Sequence, residues 1–338
     1  MSHGIIEIDK GVVWGDTWHG LPQYVTQDTP VTMEQAYNVL DFEILKVPLY
    51  YLGNFDTPED ATPDMDLDPP SLVPGAFALV RPDHNQVLVP MVGSRFEVVP
   101  NVDLLTAVDA EVLSQAPALD IESVGTLFGG ATQFVNVKIN QYAIPGDNSP
   151  TIGRLMYYNP LGKGCYQVVA HNVRVVCNNT LNMASSGAKA RVKVRHTASA
   201  GEKISEAMLD MARVYADFEE QKELLLAFSR EPMDTPMIDT FLDNFCPVPE
   251  IEEGEKLGRA QTLAFNAQDT IREAFEANRD TMTQELAYSK YGMLQAVTYT
   301  LDHEDPKRGH DVASIAWDGI TGTRALRKQV AVDLLRVA

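Results

Sequence analysis

The sequence predicts an α+β fold, with an antiparallel sheet and packed helices in its N-terminal and middle parts and a helical C-terminal region. Two runs rich in Val, Phe and Thr flank Gly129 and Gly130, a pattern typical of a β-hairpin. From Glu202 onward, apolar residues recur at three- and four-residue spacing and acidic residues fill the positions between them, as in amphipathic helices. We therefore predict a sheet domain at 1–200 and a helical region at 201–338.

The N-terminal elements follow from local patterns. A helix is predicted over 32–47, where apolar residues recur at helical spacing behind the capping residue Thr32. A second helix is predicted over 102–115, with Asn101 as its cap. The predicted strands are 76–81 and 86–92, which form a hairpin, then 121–128, 132–139, 152–158 and 166–176.

The C-terminal region reads as a series of amphipathic helices. After a long first helix, shorter ones are predicted at 237–245, 260–278, 281–301 and 324–337. Residues 246–255 (CPVPEIEEGE) have the composition of a linker. We expect these helices to mediate self-association, so that the protein is a homo-oligomer.

The composition is that of a soluble globular protein, with 45% hydrophobic and 22% charged residues. The N-terminus lacks the pattern of a signal peptide, and no run of about 18 uncharged apolar residues occurs. Three cysteines are too few for a disulfide framework. These features predict a soluble cytoplasmic protein with no membrane partner.

Residues 54–74 carry six acidic residues, five prolines and no basic residue. Such a composition does not form a regular element and predicts an exposed acidic loop. In the simplest interpretation its charge only keeps the loop solvated. The alternative interpretation is an acidic flap that competes with DNA for a basic segment further along the chain.

That basic segment runs from Gly162 to Lys203 and has a net charge of +6, in a chain whose net charge is -20. The rest of the chain therefore sums to -26. Concentrated positive charge in so acidic a protein suggests an anionic ligand, and nucleic acid is the most common one. In ARVKVRH at 190–196, cations alternate with valines, which on a strand places the valines on the core and the cations in solvent.

We predict a single-stranded nucleic-acid interface in this segment. Arg and Lys at this spacing hold phosphates without reading bases, and tyrosines just upstream are of the type that stacks on unpaired bases. The predicted contact residues are Lys163, Arg174, Lys189, Arg191, Lys193 and Arg195 for phosphates and Tyr157, Tyr158 and Tyr166 for bases. The alternative is that the tyrosines lie at the edge of the core and the cations pair with acidic helices.

No catalytic constellation is recognised, so we predict a protein that is not an enzyme and holds no cofactor or metal. Gly162-Lys163-Gly164 lacks the first glycine and the Ser or Thr of a phosphate-binding loop. The spacing of Cys165, His171 and Cys177 is too loose for a zinc site. A cluster of ligand-type residues at 302–311 suits a solvated turn.

Several blocks are shared with a known family. They are WHGL at 18–21, GSRFEVVPN at 93–101, NVRVVCNNTLNMA at 172–184, VRHTASAGEKISEA at 194–207 and YGMLQAVTYTLDH at 291–303. Through these blocks the chain resembles, over nearly its full length, a family of phage/plasmid-like proteins of unknown function. It departs from the family at Asn159-Pro160-Leu161-Gly162, where an aspartate-glycine turn is usual, and in its larger acidic insertion.

The resemblance implies an origin in a mobile element and no settled activity. By fold-level analogy, its sheet-plus-helix pattern is similar to single-strand annealing proteins of the Red-beta and Rad fifty-two type. The expected function is single-stranded DNA binding, extending to strand annealing in phage or plasmid recombination or replication. The alternative is an acidic structural or protein-binding factor that acts on a host protein, and a host or phage replication protein is a further candidate partner.

Overall fold

The computed structural model describes residues 9–15, 24–51, 70–109, 119–162, 164–174, 179–182, 191–206, 211–250, 257–304 and 323–337. Over these residues the predicted α+β fold is confirmed, with two sheets and a helical C-terminal part. The strands are β1 Gly11–Trp14, β2 Tyr24–Gln27, β3 Leu45–Tyr51, β4 Ser71–Arg81, β5 Gln86–Gly93, β6 Asp120–Leu127, β7 Thr132–Ala143, β8 Pro150–Pro160, β9 Tyr166–Arg174, β10 Asn179–Asn182 and β11 Arg191–Val194.

Nine α-helices lie in the described part of the chain. They are α1 Met33–Leu40, α2 Asn101–Ala107, α3 Ala200–Glu206, α4 Met211–Arg230, α5 Thr235–Phe245, α6 Arg259–Ala277, α7 Gln284–Ala287, α8 Lys290–Tyr299 and α9 Thr323–Val337. Short 3₁₀ turns at 82–84 and 128–130 close the β4–β5 and β6–β7 hairpins, both of which were predicted.

The large sheet has eight strands, with seven in the order β10-β9-β8-β7-β6-β1-β2. All of its pairings are antiparallel except β1 with β2. The eighth strand, β11, pairs with the first half of β9, and β10 pairs with the second half of β9. Because β8 occupies the other edge of β9 along its length, β10 and β11 lie end to end at one border of the sheet.

The small sheet has the order β3-β4-β5 and corrects the prediction for 32–47. The helix there ends at Leu40, and 45–51 form β3 instead. Pro48 excludes a helix interior, and the surrounding Leu, Val and Tyr residues favour a strand. Of the predicted acidic loop, residues 71–74 belong to β4, and 54–69 lie outside the described residues.

Asn101 joins the start of α2 to the end of α1 rather than capping α2. Pro100 occupies the cap position of α2 and contributes no side-chain hydrogen bond. The amide of Asn101 instead donates to the carbonyl oxygens of Leu40 and Phe42, at 3.1 and 3.2 Å. This link fixes the chain between α1 and β3 against the start of α2.

Two main hydrophobic cores meet within α4. One face of the large sheet packs against α1, α2, α3 and Phe218 of α4. Further along α4, Leu225 and Phe228 enter a second core built from α5 to α9. Because α3 and the start of α4 belong to the sheet core, the change from one core to the other occurs inside α4. The domain boundary predicted at 200/201 stays a prediction.

Close packing of β8 on α4 depends on Gly153. A side-chain carbon added at this position would lie 2.6 Å from the ring of Phe218, which is fully buried, and would also meet the side chain of Asn140. We expect Gly153→Ala to lower the free energy of unfolding by about 1–3 kcal/mol, because the core is overpacked.

Urea denaturation measures this effect, with Gly201→Ala in α3 as the control. No atom lies within 4 Å of the carbon added at Gly201, so this change should be neutral or stabilise the protein by up to about 1 kcal/mol. Equal stability of the two variants would contradict the tight packing of β8 on α4.

Candidate nucleic-acid interface

The strand β11 carries the alternation that the sequence predicts. Lys193 and Arg195 are exposed, whereas Val194 is buried in the sheet core. In the register of the sheet, Lys193 lies opposite Gln167 and Arg191 lies opposite Val169, both on β9. Arg191, Lys193 and Arg195 occupy alternate positions of the chain, the first two in β11 and the third directly after it. We call these three residues the cationic edge.

Among the described residues, neither Lys193 nor Arg195 forms an ion pair with an acidic side chain. Their charges are therefore not neutralised by the described helices, which was the alternative interpretation of this segment. Basic residues on an edge strand also have a simpler role, since they discourage pairing with another sheet. If these residues bind an anion, replacing them should weaken anion binding. If they only protect the sheet edge, replacing them should leave anion binding unchanged.

A turn from the small sheet adjoins the end of the cationic edge. The backbone N–H of Glu97 donates to the carbonyl oxygen of His196 at 3.2 Å. The Phe96 ring stacks on the His196 ring, with the two ring centroids 4.8 Å apart. Arg95, which is exposed, lies on the same turn. The exposed Glu97 is the acidic residue at this contact.

Lys46 of β3 adds a further cation near this turn. Its ammonium donates to the carbonyl oxygens of Ser94 and Phe96, at 2.7 and 2.6 Å, and lies over the Phe77 ring at 4.7 Å. These carbonyls hold Lys46 in a fixed position. Reasoning from the sequence missed both Lys46 and Arg95, because their position beside β11 depends on contacts between distant parts of the chain.

His196 closes the cationic edge as a buried, neutral residue. Its Nε2 lies 3.1 Å from the carbonyl oxygen of Pro160, and the side chain is 5% exposed. Burial lowers the pKa of His196 below its usual 6.5, and this effect outweighs the backbone hydrogen bonds with Pro160 and Glu97, which raise the pKa. The imidazole therefore contributes no charge to the edge near neutral pH.

The lowered pKa of His196 makes stability depend on pH. Above pH 6.5 His196 is neutral in both the folded and the unfolded chain, and its full contribution to the free energy of unfolding is present. As the pH falls below 6.5, the unfolded chain binds the proton first, so the free energy of unfolding decreases until the pH passes the lower pKa of the folded state. We expect the loss of unfolding free energy between pH 7.5 and 5.5 to be smaller in His196→Gln than in the wild type. Urea titrations of both proteins at the two pH values measure it, and parallel losses would contradict a buried neutral His196.

The three predicted stacking tyrosines are core residues in this structure. Tyr157, Tyr158 and Tyr166 are 0%, 1% and 1% exposed. Tyr157 and Tyr166 pack in the core beneath α1 to α4, while Tyr158 belongs to a cluster on the opposite face of the sheet with Phe134 and Met156. None of the three rings presents a face to a ligand, and they do not form one shelf.

Of the remaining predicted cations, the structure describes only the backbone of Arg174, which lies away from the cationic edge. Arg174 ends β9, five residues from Val169, which places it about 16 Å along the strand from the position of Arg191. Lys163 and Lys189 lie outside the described residues.

Other sites in the described part of the chain offer less to an anion. A cleft of about 420 Å³ between the α1–β3 connection and α2 is lined by Asp41 and Glu43 and by no basic side chain. No group of three or more potential metal ligands assembles among the described residues. Burial raises the pKa of the Cys246 thiol, and Cys177 lies outside the described residues. None of the helices that the structure describes is long and apolar enough to cross a membrane.

Comparison with protein families places the chain in a family. The family model of a domain of unknown function, DUF932, matches residues 89–332, well over half of the chain. The chain belongs to this family. No curated protein and no solved structure shows significant similarity to it.

The DUF932 match begins within β5 and ends within α9. It contains the cationic edge and Arg95, whereas Lys46 and the strands β1 to β4 precede it. Membership in a family of unknown function confirms that part of the predicted resemblance. The phage or plasmid origin stays a prediction.

Proposed function

We propose that this protein binds single-stranded DNA through the cationic edge and belongs to a mobile element of the phage or plasmid kind. One observation carries the proposal: in a chain with a net charge of -20, Lys193 on an edge strand and Arg195 directly after it are exposed and form no ion pair with a described residue. Phosphates bind such cations with release of counterions and without base specificity.

The proposed interface is smaller than the one predicted from the sequence. It consists of Arg191, Lys193 and Arg195, with Arg95 beside them, and excludes the buried tyrosines. An edge of this size holds a few phosphates, so binding should be weak on one copy and should gain from several copies on one strand. Strand annealing, which needs two strands held at once, is the extension of this proposal.

A mobility-shift assay with a labelled single-stranded oligonucleotide tests the proposal. The expected result is a retarded complex at low salt that disappears as salt is added. Absence of a complex at low salt would contradict the proposal. Co-purification of a stoichiometric host protein without nucleic acid would then favour the acidic protein-binding factor.

A further inference from the structure

The cleft of about 420 Å³ between the α1–β3 connection and α2 is rich in hydrogen-bond acceptors that lack a donor. Asp41 and Glu43 line it, and both residues are exposed. No described residue forms a hydrogen bond or an ion pair with either carboxylate. Because only Phe42 separates them in the chain, one wall of the cleft carries two negative charges close together.

Asn101 supplies a third acceptor in the wall of the same cleft. Its Nδ2 donates to the carbonyl oxygens of Leu40 and Phe42, at 3.1 and 3.2 Å, so its amide lies beside the segment that carries both carboxylates. Asn101 is 5% exposed, and its Oδ1 has no hydrogen-bond partner among the described residues. Buried polar atoms in folded proteins are nearly always hydrogen-bonded, so this oxygen requires a donor that the described chain does not supply.

The acidic residues lie where they oppose the stability of α1. Asp41 occupies the C-cap of this helix, and the last helical turn has no basic residue. The C-terminus of a helix carries partial negative charge and favours cations. Two cations lie close by without lining the cleft, since Lys10 donates to the carbonyl oxygen of Asn38 at 2.9 Å and Arg81 is paired with Asp83. The cleft itself therefore has negative charge without a matching cation.

The remaining wall of the cleft is largely apolar. It includes the side chains of Leu40 and Leu105, which are buried, and of Ile44 and Val98, which are half-buried. A volume of about 420 Å³ lies within the range of small-molecule sites, which combine an apolar lining with a few polar groups. The chemistry of this wall is complementary to a ligand with N–H donors at one end and hydrocarbon at the other.

We propose that this cleft binds an organic cation, an ammonium or guanidinium group on an aliphatic stem. The N–H groups donate to the carboxylates of Asp41 and Glu43 and to Oδ1 of Asn101, and the stem packs on the apolar wall. Hydrogen bonds between charged partners are the strong ones, and a guanidinium or ammonium supplies several donors at once.

Other ligand classes fit the cleft less well. A nucleic acid is repelled by the two carboxylates, which no basic side chain of the cleft offsets. A hard divalent metal ion prefers about six or more oxygen ligands, and among the described residues no group of three potential metal ligands assembles. The proposal does not depend on DNA binding by the cationic edge.

Isothermal titration calorimetry of the full chain with agmatine tests this site, because agmatine carries a guanidinium and an ammonium on a short aliphatic stem. We expect one-to-one binding at physiological salt. Asp41→Asn combined with Glu43→Gln should weaken it by about tenfold or more, because charge-assisted hydrogen bonds are lost. The matched control is Asp269→Asn with Glu273→Gln, at two exposed residues of α6, which changes the net charge equally and should leave the affinity within about twofold.

Two further ligands define the group that is recognised. Tetramethylammonium carries positive charge without any N–H and should bind about tenfold or more weakly than agmatine. N-acetylarginine amide represents an arginine side chain of another protein. Tighter binding of this compound than of agmatine identifies a protein side chain as the source of the cation, and weaker binding identifies a free amine.

Absence of agmatine binding, equal losses in the cleft pair and the control pair, or equal affinity for tetramethylammonium would each overturn the proposal. Thermal denaturation verifies that the variants fold. Neutralising Asp41 at the C-cap should not lower the Tm, and agmatine should raise the Tm of the wild type more than that of the cleft variant. Since all of these variants keep the cationic edge, oligonucleotide titration of the same proteins reports separately on the DNA proposal.

Discussion

Reversing the three charges of the cationic edge should strongly weaken binding to single-stranded DNA. We expect Arg191→Glu, Lys193→Glu and Arg195→Glu together to weaken binding by about 100-fold or more at low salt, because each change replaces attraction to a phosphate by repulsion. The slope of log affinity against log salt should fall by about 2, since each lost phosphate contact on a single strand contributes about 0.7. Fluorescence anisotropy of a labelled oligonucleotide measures both quantities.

A control with the same change in net charge separates the cationic edge from the overall field of the protein. Arg230, Arg259 and Arg336 are exposed residues of the helical region. Their combined replacement by Glu should leave the affinity within about threefold, because distant charges are screened at moderate salt. Equal loss in both triple variants would mean that net charge alone governs binding, and no loss in the edge variant would reject the interface.

Removing the carboxylate of Asp302 should cause the largest loss of stability. Its Oδ1 accepts from the ammonium of Lys328 at 2.6 Å, and the two side chains are 5% and 0% exposed. Asp302→Ala leaves the Lys328 charge buried without this partner, so we expect the free energy of unfolding to fall by about 3–5 kcal/mol. Urea denaturation measures the change.

Two further variants test the physical cause. Replacing Lys328 by Met in the Asp302→Ala background removes the buried charge and should recover a large part of the loss. Asp239→Ala breaks the exposed pair of Asp239 with Arg272 and should cost less than about 1 kcal/mol. A similar cost for the buried and the exposed pair would show that Lys328 is solvated once Asp302 is removed.

The hairpins and most helices of this fold are predictable because their signals are local. Gly129 and Gly130 both have positive φ, at 72° and 101°, which explains why glycines mark the β6–β7 turn. The strand β3 is harder to predict, since the apolar pattern of α1 continues into it and only Pro48 signals the change. The packing of the small sheet on β8 depends on contacts that are distant in sequence, such as those of Leu161.

Only the part of the candidate interface that depends on local signals could be predicted from the sequence. The alternation of ARVKVRH is local, and it is found at Lys193 and Val194. Consecutive tyrosines on a strand must face opposite sides, so Tyr157 and Tyr158 could have been recognised as unable to form one shelf. Burial of both faces of β8, in contrast, depends on the whole fold and leaves no pattern in the strand itself.

The central claim, that the cationic edge binds single-stranded DNA, is tested most directly by titrating a labelled single-stranded oligonucleotide with the wild-type protein at several salt concentrations, with duplex DNA as competitor. The account predicts binding to the single strand that weakens as salt is added, because the cationic edge contacts phosphates; competition by duplex measures the preference for the single strand. Binding that is insensitive to salt, or no binding at low salt, would contradict it and leave the basic residues of β11 as a device that keeps the sheet edge from pairing.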